Sequence, residues 1–264
     1  MTDKQDWPLV RYDTDEVRAT LTLDSPHNRN ALSPRLIADV RAGLARAQDD
    51  PDVRAVVLTH TGGTFCAGAD LSAATGSGPA DAGTGGGESP AEAMAGLLRA
   101  ILECPKPVIG LIDGHVRAGG MGLVGACDIA VAGPRCTFAL TEARLGLAAS
   151  IISLTVLPRM TSRAAGRYFL TGEKFDGARA EAMGLVTVAA DDAAAVTDAL
   201  VAELRKASPQ GLAESKALLT RAVLAGFDAD AGRLCERSAQ LFGTPEAIEG
   251  MTAFLQKRAP AWAE

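Results

Sequence analysis

The chain has 264 residues, 47% of them apolar and only 4% aromatic, with 28 glycines and a formal net charge of −6. That is enough apolar material for a substantial core, and an acidic balance with no lysine or arginine block argues against a nucleic-acid-binding surface. The five cysteines (66, 104, 127, 136 and 235) are odd in number and lack CxxC spacing, which argues against a disulfide framework or a zinc site and for a reducing compartment. The opening MTDKQDWPLV has no long apolar run, and no later segment is long enough to span a membrane, so a cytoplasmic location is expected.

Residues 9–12 and 17–23 alternate as strands do and stop at Asp24-Ser25-Pro26. After the loop His27-Asn28-Arg29-Asn30-Ala31-Leu32, Ser33 stands at an N-cap position with Pro34 behind it. Leu36, Ile37, Val40 and Leu44 then give a helix one apolar face, and Asp49-Asp50-Pro51 ends it. Residues 53–59 are nearly all apolar, the mark of a strand covered on both faces. They lead into Gly62-Gly63-Thr64-Phe65-Cys66-Ala67-Gly68-Ala69-Asp70-Leu71, a strand–glycine turn–helix candidate. Residues 73–90 are low-complexity Gly/Ala/Ser/Thr and predict a mobile loop, because β-α patterning resumes beyond it with a helix over 91–102.

Residues 108–112 form another apolar strand run that ends in Asp113-Gly114. A glycine-rich turn, Arg117-Ala118-Gly119-Gly120, precedes a short apolar helix over 121–126 and a strand over 129–132. Glycines at a helix start let other backbone come close, and the first helical N–H groups have no partner in the helix. Such an end can bind a phosphate or a carbonyl oxygen that gains negative charge, although a tightly packed turn explains the stretch equally well. Gly120-Met121-Gly122-Leu123-Val124-Gly125 matches GxGxxG, but six residues separate it from the strand and its helix is too short for a dinucleotide-binding crossover.

A strand over 137–140, helices over 150–157, 163–170 and 178–183, and a last strand over 186–189 follow. Four helices then close the chain, over 193–206, 212–224, 233–242 and 245–256. Repeated β-α units followed by helices predict an α/β core over 1–195 and a helical C-terminal region over 196–264. No GxSxG elbow, Walker-type loop or HExxH is present, and His27, His60 and His115 are scattered as surface or loop residues are.

Several motifs, in order and from about Leu9 to the C-terminus, together resemble the crotonase superfamily, the enoyl-CoA hydratase/isomerase family. They are Phe65-Cys66-Ala67-Gly68-Ala69-Asp70-Leu71, the turn over 114–120 before Cys127-Asp128-Ile129, and Thr141-Glu142-Ala143-Arg144-Leu145-Gly146-Leu147. Tyr168-Phe169-Leu170-Thr171-Gly172, Ala182-Met183-Gly184-Leu185-Val186 and the ending Glu249-Gly250-Met251-Thr252-Ala253-Phe254-Leu255-Gln256-Lys257-Arg258 match as well.

The resemblance implies a crotonase-type spiral of ββα units with C-terminal helices that assemble a homotrimer or a dimer of trimers. It also implies an acyl-CoA thioester as substrate, with coenzyme A part of that substrate and no metal or other cofactor. The family holds the thioester oxygen with two backbone N–H groups, which by motif position belong here to Ala69 and Gly119; losing such a donor typically costs ~3 kcal/mol of transition-state stabilisation. Asn28, Arg29 and Ala31 stand where the family touches the CoA adenine. Ala67, Asp70, Leu71, Val116 and Thr141 stand at further substrate-contacting positions, although Asp70, like Asp128, reads first as a structural hydrogen-bonding residue. Phe254 and Lys257 resemble residues that reach a neighbouring subunit's CoA.

Glu142 aligns with the family's catalytic glutamate. A carboxylate in a mostly apolar pocket has a raised pKa that suits proton transfer near neutral pH, whereas the bland alternative is a surface glutamate opening a helix. Gly122 stands where the best-known hydratases carry a first glutamate, so only one acid/base group remains. Arg117, at a position usually apolar in the family, either pairs with Asp113 or anchors a carboxylate on a branched substrate such as methylglutaconyl-CoA. The resemblance thus implies an enoyl-CoA hydratase, with a Δ3/Δ2-enoyl-CoA isomerase, a methylglutaconyl-CoA-type hydratase and a catalytically silent acyl-CoA binder as alternatives.

Overall fold

The computed structural model describes residues 8–69 and 88–263. An antiparallel hairpin of β1 (Val10–Asp15) and β2 (Arg18–Leu23) precedes α1 (Pro34–Asp49). The chain then climbs in repeating turns. The first gives β3 (Ala55–His60), β4 (Thr64–Cys66) and α2 (Pro90–Glu103); the second gives β5 (Val108–Ile112), β6 (His115–Arg117) and α3 (Gly119–Ala126). The third gives β7 (Ile129–Ala132), β8 (Thr137–Ala139) and a four-residue 3-10 helix, Glu142–Leu145. After these come α4 (Ser153–Val156), α5 (Ser162–Thr171), β9 (Phe175–Asp176), α6 (Gly177–Ala182), β10 (Val188–Ala189), α7 (Ala193–Leu204), α8 (Pro209–Phe242) and α9 (Pro245–Leu255).

Each turn places its first strand in a larger sheet, ordered β1-β2-β3-β5-β7-β10, and its second in a smaller one, ordered β4-β6-β8-β9. The larger sheet is parallel beyond its β1–β2 hairpin, and the smaller is parallel up to its β8–β9 pair. This is the spiral expected from the sequence. The corner between sheets is tight: the His115 N–H donates to Gly63 O at 3.0 Å, one corner lying on the one before it. A Cβ at Gly114 would stand 2.7 Å from that same Gly63 oxygen, so the close approach needs glycine.

Side-chain alternation explains the continuous apolar strands. Val56, Leu58 and Val108 face the main core with Leu36, Leu98 and Ile101, while Val57, Ile109 and Val131 face the other side, where α7 covers them with Val196 and Leu200. Each such side chain contributes roughly 1.5–3 kcal/mol by leaving water. The helix starts follow the sequence signals. Ser33 Oγ accepts the Leu36 N–H at 3.2 Å behind Pro34, and Ser89 with Glu92 forms a capping box at α2. The five cysteines are free and buried, and no helix among the described residues is long and apolar enough to cross a membrane.

Three expectations need correction. The helices expected over 212–224 and 233–242 are one 34-residue helix, α8. Gly226 and Gly232 weaken its middle, but Phe227 and Cys235 are buried in the core and hold it across the expected break. The turn over 114–120 contains the strand β6, and β9 was missed altogether; strands of two or three residues are too short for alternation to show.

A buried ion pair fastens α8 to the spiral. Lys216 Nζ donates to Asp128 Oδ2 at 2.7 Å, to Ile101 O at 2.8 Å and to Lys106 O at 3.1 Å, so its three protons all have acceptors. Asp128 Oδ2 also accepts the Val108 N–H at 2.7 Å, in the structural role expected of it. Removing only the cation would leave a desolvated carboxylate facing one amide. Lys216→Met is therefore expected to lose about 3–5 kcal/mol of stability, read as a lowered denaturation midpoint, and Lys216→Met/Asp128→Asn to recover part of it.

Candidate active site

The smaller sheet decides which residues meet. Its strands β4, β6 and β8 are parallel neighbours, so their carboxyl ends lie along one edge at spacings of about 4.8 Å. The segments leaving those ends are Ala67-Gly68-Ala69, Ala118-Gly119 and Thr141-Glu142. Three motifs far apart in sequence thereby come to one place.

The first segment is held by backbone. The Ala67 N–H donates to Arg29 O at 3.1 Å, and the Leu32 N–H donates to Gly68 O at 2.8 Å, so the loop over 28–32 lies alongside it. Asn30, fully buried, anchors that loop: its Nδ2 donates to Thr61 O and Thr64 O at 3.1 and 2.8 Å, and its Oδ1 accepts the Ser25 N–H at 2.7 Å. Gly68 has φ +90°, and a Cβ there would stand 2.7 Å from Ala118 Cβ and 3.4 Å from Gly119 N. The second segment thus packs directly on the first.

Ala118 adopts φ 45° and ψ −118°, a glycine-favoured conformation that costs an alanine roughly 1–3 kcal/mol. Its N–H donates to Ala139 O at 3.2 Å, and the strain turns the chain so that Gly119 opens α3. Among the described residues neither the Ala69 nor the Gly119 N–H has an acceptor. At the other end of α3, Arg159 donates to Gly125 O and Cys127 O at 3.1 and 3.3 Å, giving the last carbonyls a cation.

Glu142 begins the 3-10 helix. Its Oε2 is out of solvent and has no hydrogen-bond partner. Burial pushes its carboxyl up to about 7, against a small opposing pull from its own backbone amide. Gly122 lies in α3, where a Cβ would stand 2.6 Å from Ile152 Cγ2 and 3.2 Å from Met94 Cε. Both side chains are buried, and Thr155 Oγ1 donates to Gly122 O at 3.0 Å. Hydrocarbon occupies the place from which a side chain at 122 would project.

The other expected residues fall as follows. Asn28 is half-buried and its Oδ1 accepts from Ser25 Oγ at 2.9 Å, Arg29 is exposed with φ 59°, and Ala31 is buried in the loop before α1. Val116 is fully buried in β6, and Thr141 is half-buried with its carbonyl accepting the Arg144 N–H at 3.0 Å. Phe254, 59% exposed, and Lys257 lie at the end of α9, on the surface. Asp70, Leu71 and residues 73–87 of the expected loop lie outside the described residues.

Arg117 does not pair with Asp113. Its guanidinium donates to Thr137 O at 2.6 Å, Thr137 Oγ1 at 2.8 Å and Val116 O at 2.8 Å, while Asp113 takes Arg135 at 2.6 Å. His60, the last residue of β3, accepts the Asp113 N–H at Nε2 (3.1 Å), and burial pushes its pKa down. Asn30, Met94 and Ile152 escaped the sequence reading because their partners are distant in the chain. A cavity of about 280 Å³ lined by Val53, Lys106, Pro209 and Leu212 lies before the starts of β3 and β5, away from these strand ends.

Residues 14–264 match the family described as Enoyl-CoA hydratase/isomerase. Enoyl-CoA hydratase EchA19 of Mycobacterium tuberculosis is 33% identical over 249 residues, 91% of each chain. The crystal structure of an enoyl-CoA hydratase from Mycobacterium avium is 59% identical, with a TM-score of 0.88 over 96% of this chain and 98% of that one. An enoyl-CoA hydratase structure from Mycobacterium smegmatis is 32% identical, with a TM-score of 0.75 over 98% and 100% of the two chains. With the family match spanning nearly the whole sequence and the fold repeated at high overlap, this chain belongs to the enoyl-CoA hydratase/isomerase family of enzymes.

Proposed function

We propose that this protein is an enoyl-CoA hydratase, adding water across the 2,3 double bond of an unsaturated acyl-CoA thioester. One observation carries the reading: two amides without acceptors among the described residues and a buried carboxyl oxygen without a hydrogen-bond partner leave three neighbouring parallel strands at one edge. Ionised Glu142 takes a proton from water as the oxygen bonds to C3. The electron pair of the double bond moves toward the thioester, whose oxygen becomes enolate-like between the Ala69 and Gly119 N–H groups. Glu142 then returns the proton to C2. Donors fixed before charge develops lower the barrier without reorganising, and a carboxyl near pH 7 can both take and give the proton.

In this reading the loop with Asn28, Arg29 and Ala31 receives the adenine end of CoA, and Ala67, Asp70, Leu71, Val116 and Thr141 complete the substrate site. Phe254 and Lys257 reach the CoA of a neighbouring subunit in a homotrimer or dimer of trimers. Exposed Leu218, Leu219, Phe254, Leu255 and Trp262 on and after α8 and α9 support assembly through this region. Light scattering is expected to give a mass of three or six chains, and a monomer would remove the neighbour from the site.

The hydrocarbon packed against Gly122 favours a second reading, the Δ3/Δ2 isomerase. There Glu142 would remove a C2 proton from a 3-enoyl thioester and return it at C4, with no water to position. Crotonyl-CoA and a 3-enoyl-CoA separate the two. The hydratase consumes the conjugated crotonyl thioester, the isomerase makes a conjugated product from the 3-enoyl one, and binding without turnover rejects both.

Glu142→Gln is expected to lower kcat on the order of 10²–10⁴-fold, and the wild-type kcat/KM to rise with pH through a midpoint near 7, where Glu142 ionises. The same carboxyl tunes stability. Raised from 4.5 to about 7 by folding, its contribution is full below about pH 4.5 and lost as pH rises through 7. Glu142→Gln is therefore expected to be more stable than wild type above pH 7, by up to about 3 kcal/mol, with the gain absent at pH 4. Thermal melts at the two pH values measure it.

A further inference from the structure

Glu142 opens a helix of only four residues, and no side-chain donor fixes its buried oxygen. Its placement depends on what holds that short helix. Internally, the Leu147 N–H donates to Glu142 O at 3.0 Å, and Gly146 closes the turn with φ 71°. From α5, Thr171 O accepts Arg144 Nε at 2.7 Å. From α9 the contact is backbone against backbone. A Cβ on Gly250 would stand 2.5 Å from both the carbon and the oxygen of the Leu145 carbonyl, and one on Gly146 would stand 2.7 Å from the Glu246 carbonyl.

Glu246 and Gly250 are one turn apart on a single face of α9, so the two contacts form a seam along the helix. The opposite side of α9 is unlike it, with Ile248 55% exposed. Helix propensity favours alanine over glycine at 250, and the glycine there answers to the close approach instead. In α8 the contrast is plain: a Cβ at Gly226 or Gly232 would meet nothing within 4 Å.

We propose that Gly146 and Gly250 are positioning residues, whose seam sets where the Glu142 carboxylate stands, so that docking of the C-terminal helix governs turnover rather than substrate binding. The inference rests on Glu142 being the acid/base group. Added methyl groups at the seam move the 3-10 helix off α9 and carry Glu142 with it. A misplacement of about 1 Å is enough to cost a large factor in rate.

Gly250→Ala and Gly146→Asn push the seam from opposite sides, asparagine being a residue that accepts the left-handed conformation. Each is assayed for kcat, KM and pH profile on the enoyl-CoA that the wild type turns over, beside Gly232→Ala and Glu142→Gln. The expected result is a kcat at least ~10-fold lower with KM within about twofold, and an ascending limb moved below pH 7 as the carboxylate meets water. Gly232→Ala keeps the wild-type values. Wild-type kcat and limb in a folded seam variant overturn the proposal. Loss of the native circular dichroism spectrum in both variants also overturns it, because the seam is then a folding contact. Full activity in Glu142→Gln defeats the acid/base assignment itself, whereas an inactive Glu142→Gln beside a fully active Gly250→Ala defeats the seam alone.

Discussion

The lateral pairing of β4, β6 and β8 is the constraint on which the candidate site depends. Parallel neighbours end on the same side, and their register decides which residues leave the sheet at one level. Thr64 pairs with His115 but Cys66 pairs with Val116, so β4 carries an extra residue at Phe65, a bulge. Counting three residues outward from Cys66 and Val116 reaches Ala69 and Gly119. Counted from Thr64 and His115 without the bulge, Ala69 would face Gly120 instead. One inserted residue in a three-residue strand thus brings the Ala69 and Gly119 amides level, as bulges beside functional sites do by re-aiming the chain.

The edge where these segments meet is locally unfavourable. Ala118 holds a glycine-favoured backbone, Glu142 buries an oxygen with no partner, and two N–H groups lack acceptors among the described residues. The strained alanine and the unpaired buried oxygen each cost the folded state something on the scale of a kcal/mol or more. Their persistence needs surroundings that determine the geometry from several directions. Asn30 supplies three hydrogen bonds at the β3–β4 corner, and Lys216 with Asp128 locks the long helix to the strand beginnings. Well-paired groups thus lie around the site's unsatisfied ones.

Much of this was legible in the sequence, for identifiable reasons. Long apolar runs such as 53–59 show their burial on both faces, and Ser33-Pro34 announces a helix start through local hydrogen bonding. Glu142 was visible through the motif around it. What escaped depends on partners far along the chain. β6 and β9 are strands only because neighbours pair with them, and α8 stays continuous past two glycines only because Phe227 and Cys235 find a core. The expected Arg117–Asp113 pair failed for the same reason: Thr137, brought alongside by β8, offers two acceptors to Arg117, and Arg135 takes Asp113.

The packing around Gly122 follows the same logic. Gly122 reads as a lone substitution in a motif, yet two elements have closed around it. Met94 comes from α2, Ile152 from the approach to α4, and Thr155 binds the Gly122 carbonyl. A glutamate introduced at 122 would drive its Cβ into Ile152 before its carboxylate reached anything, so the residue cannot be exchanged without its neighbours. The glycine at 122 is therefore a packed alternative to an acid at that position, with its own hydrocarbon lining. With Glu142 the carboxyl that the described residues bring to this edge, its position becomes the quantity that the surrounding helices control.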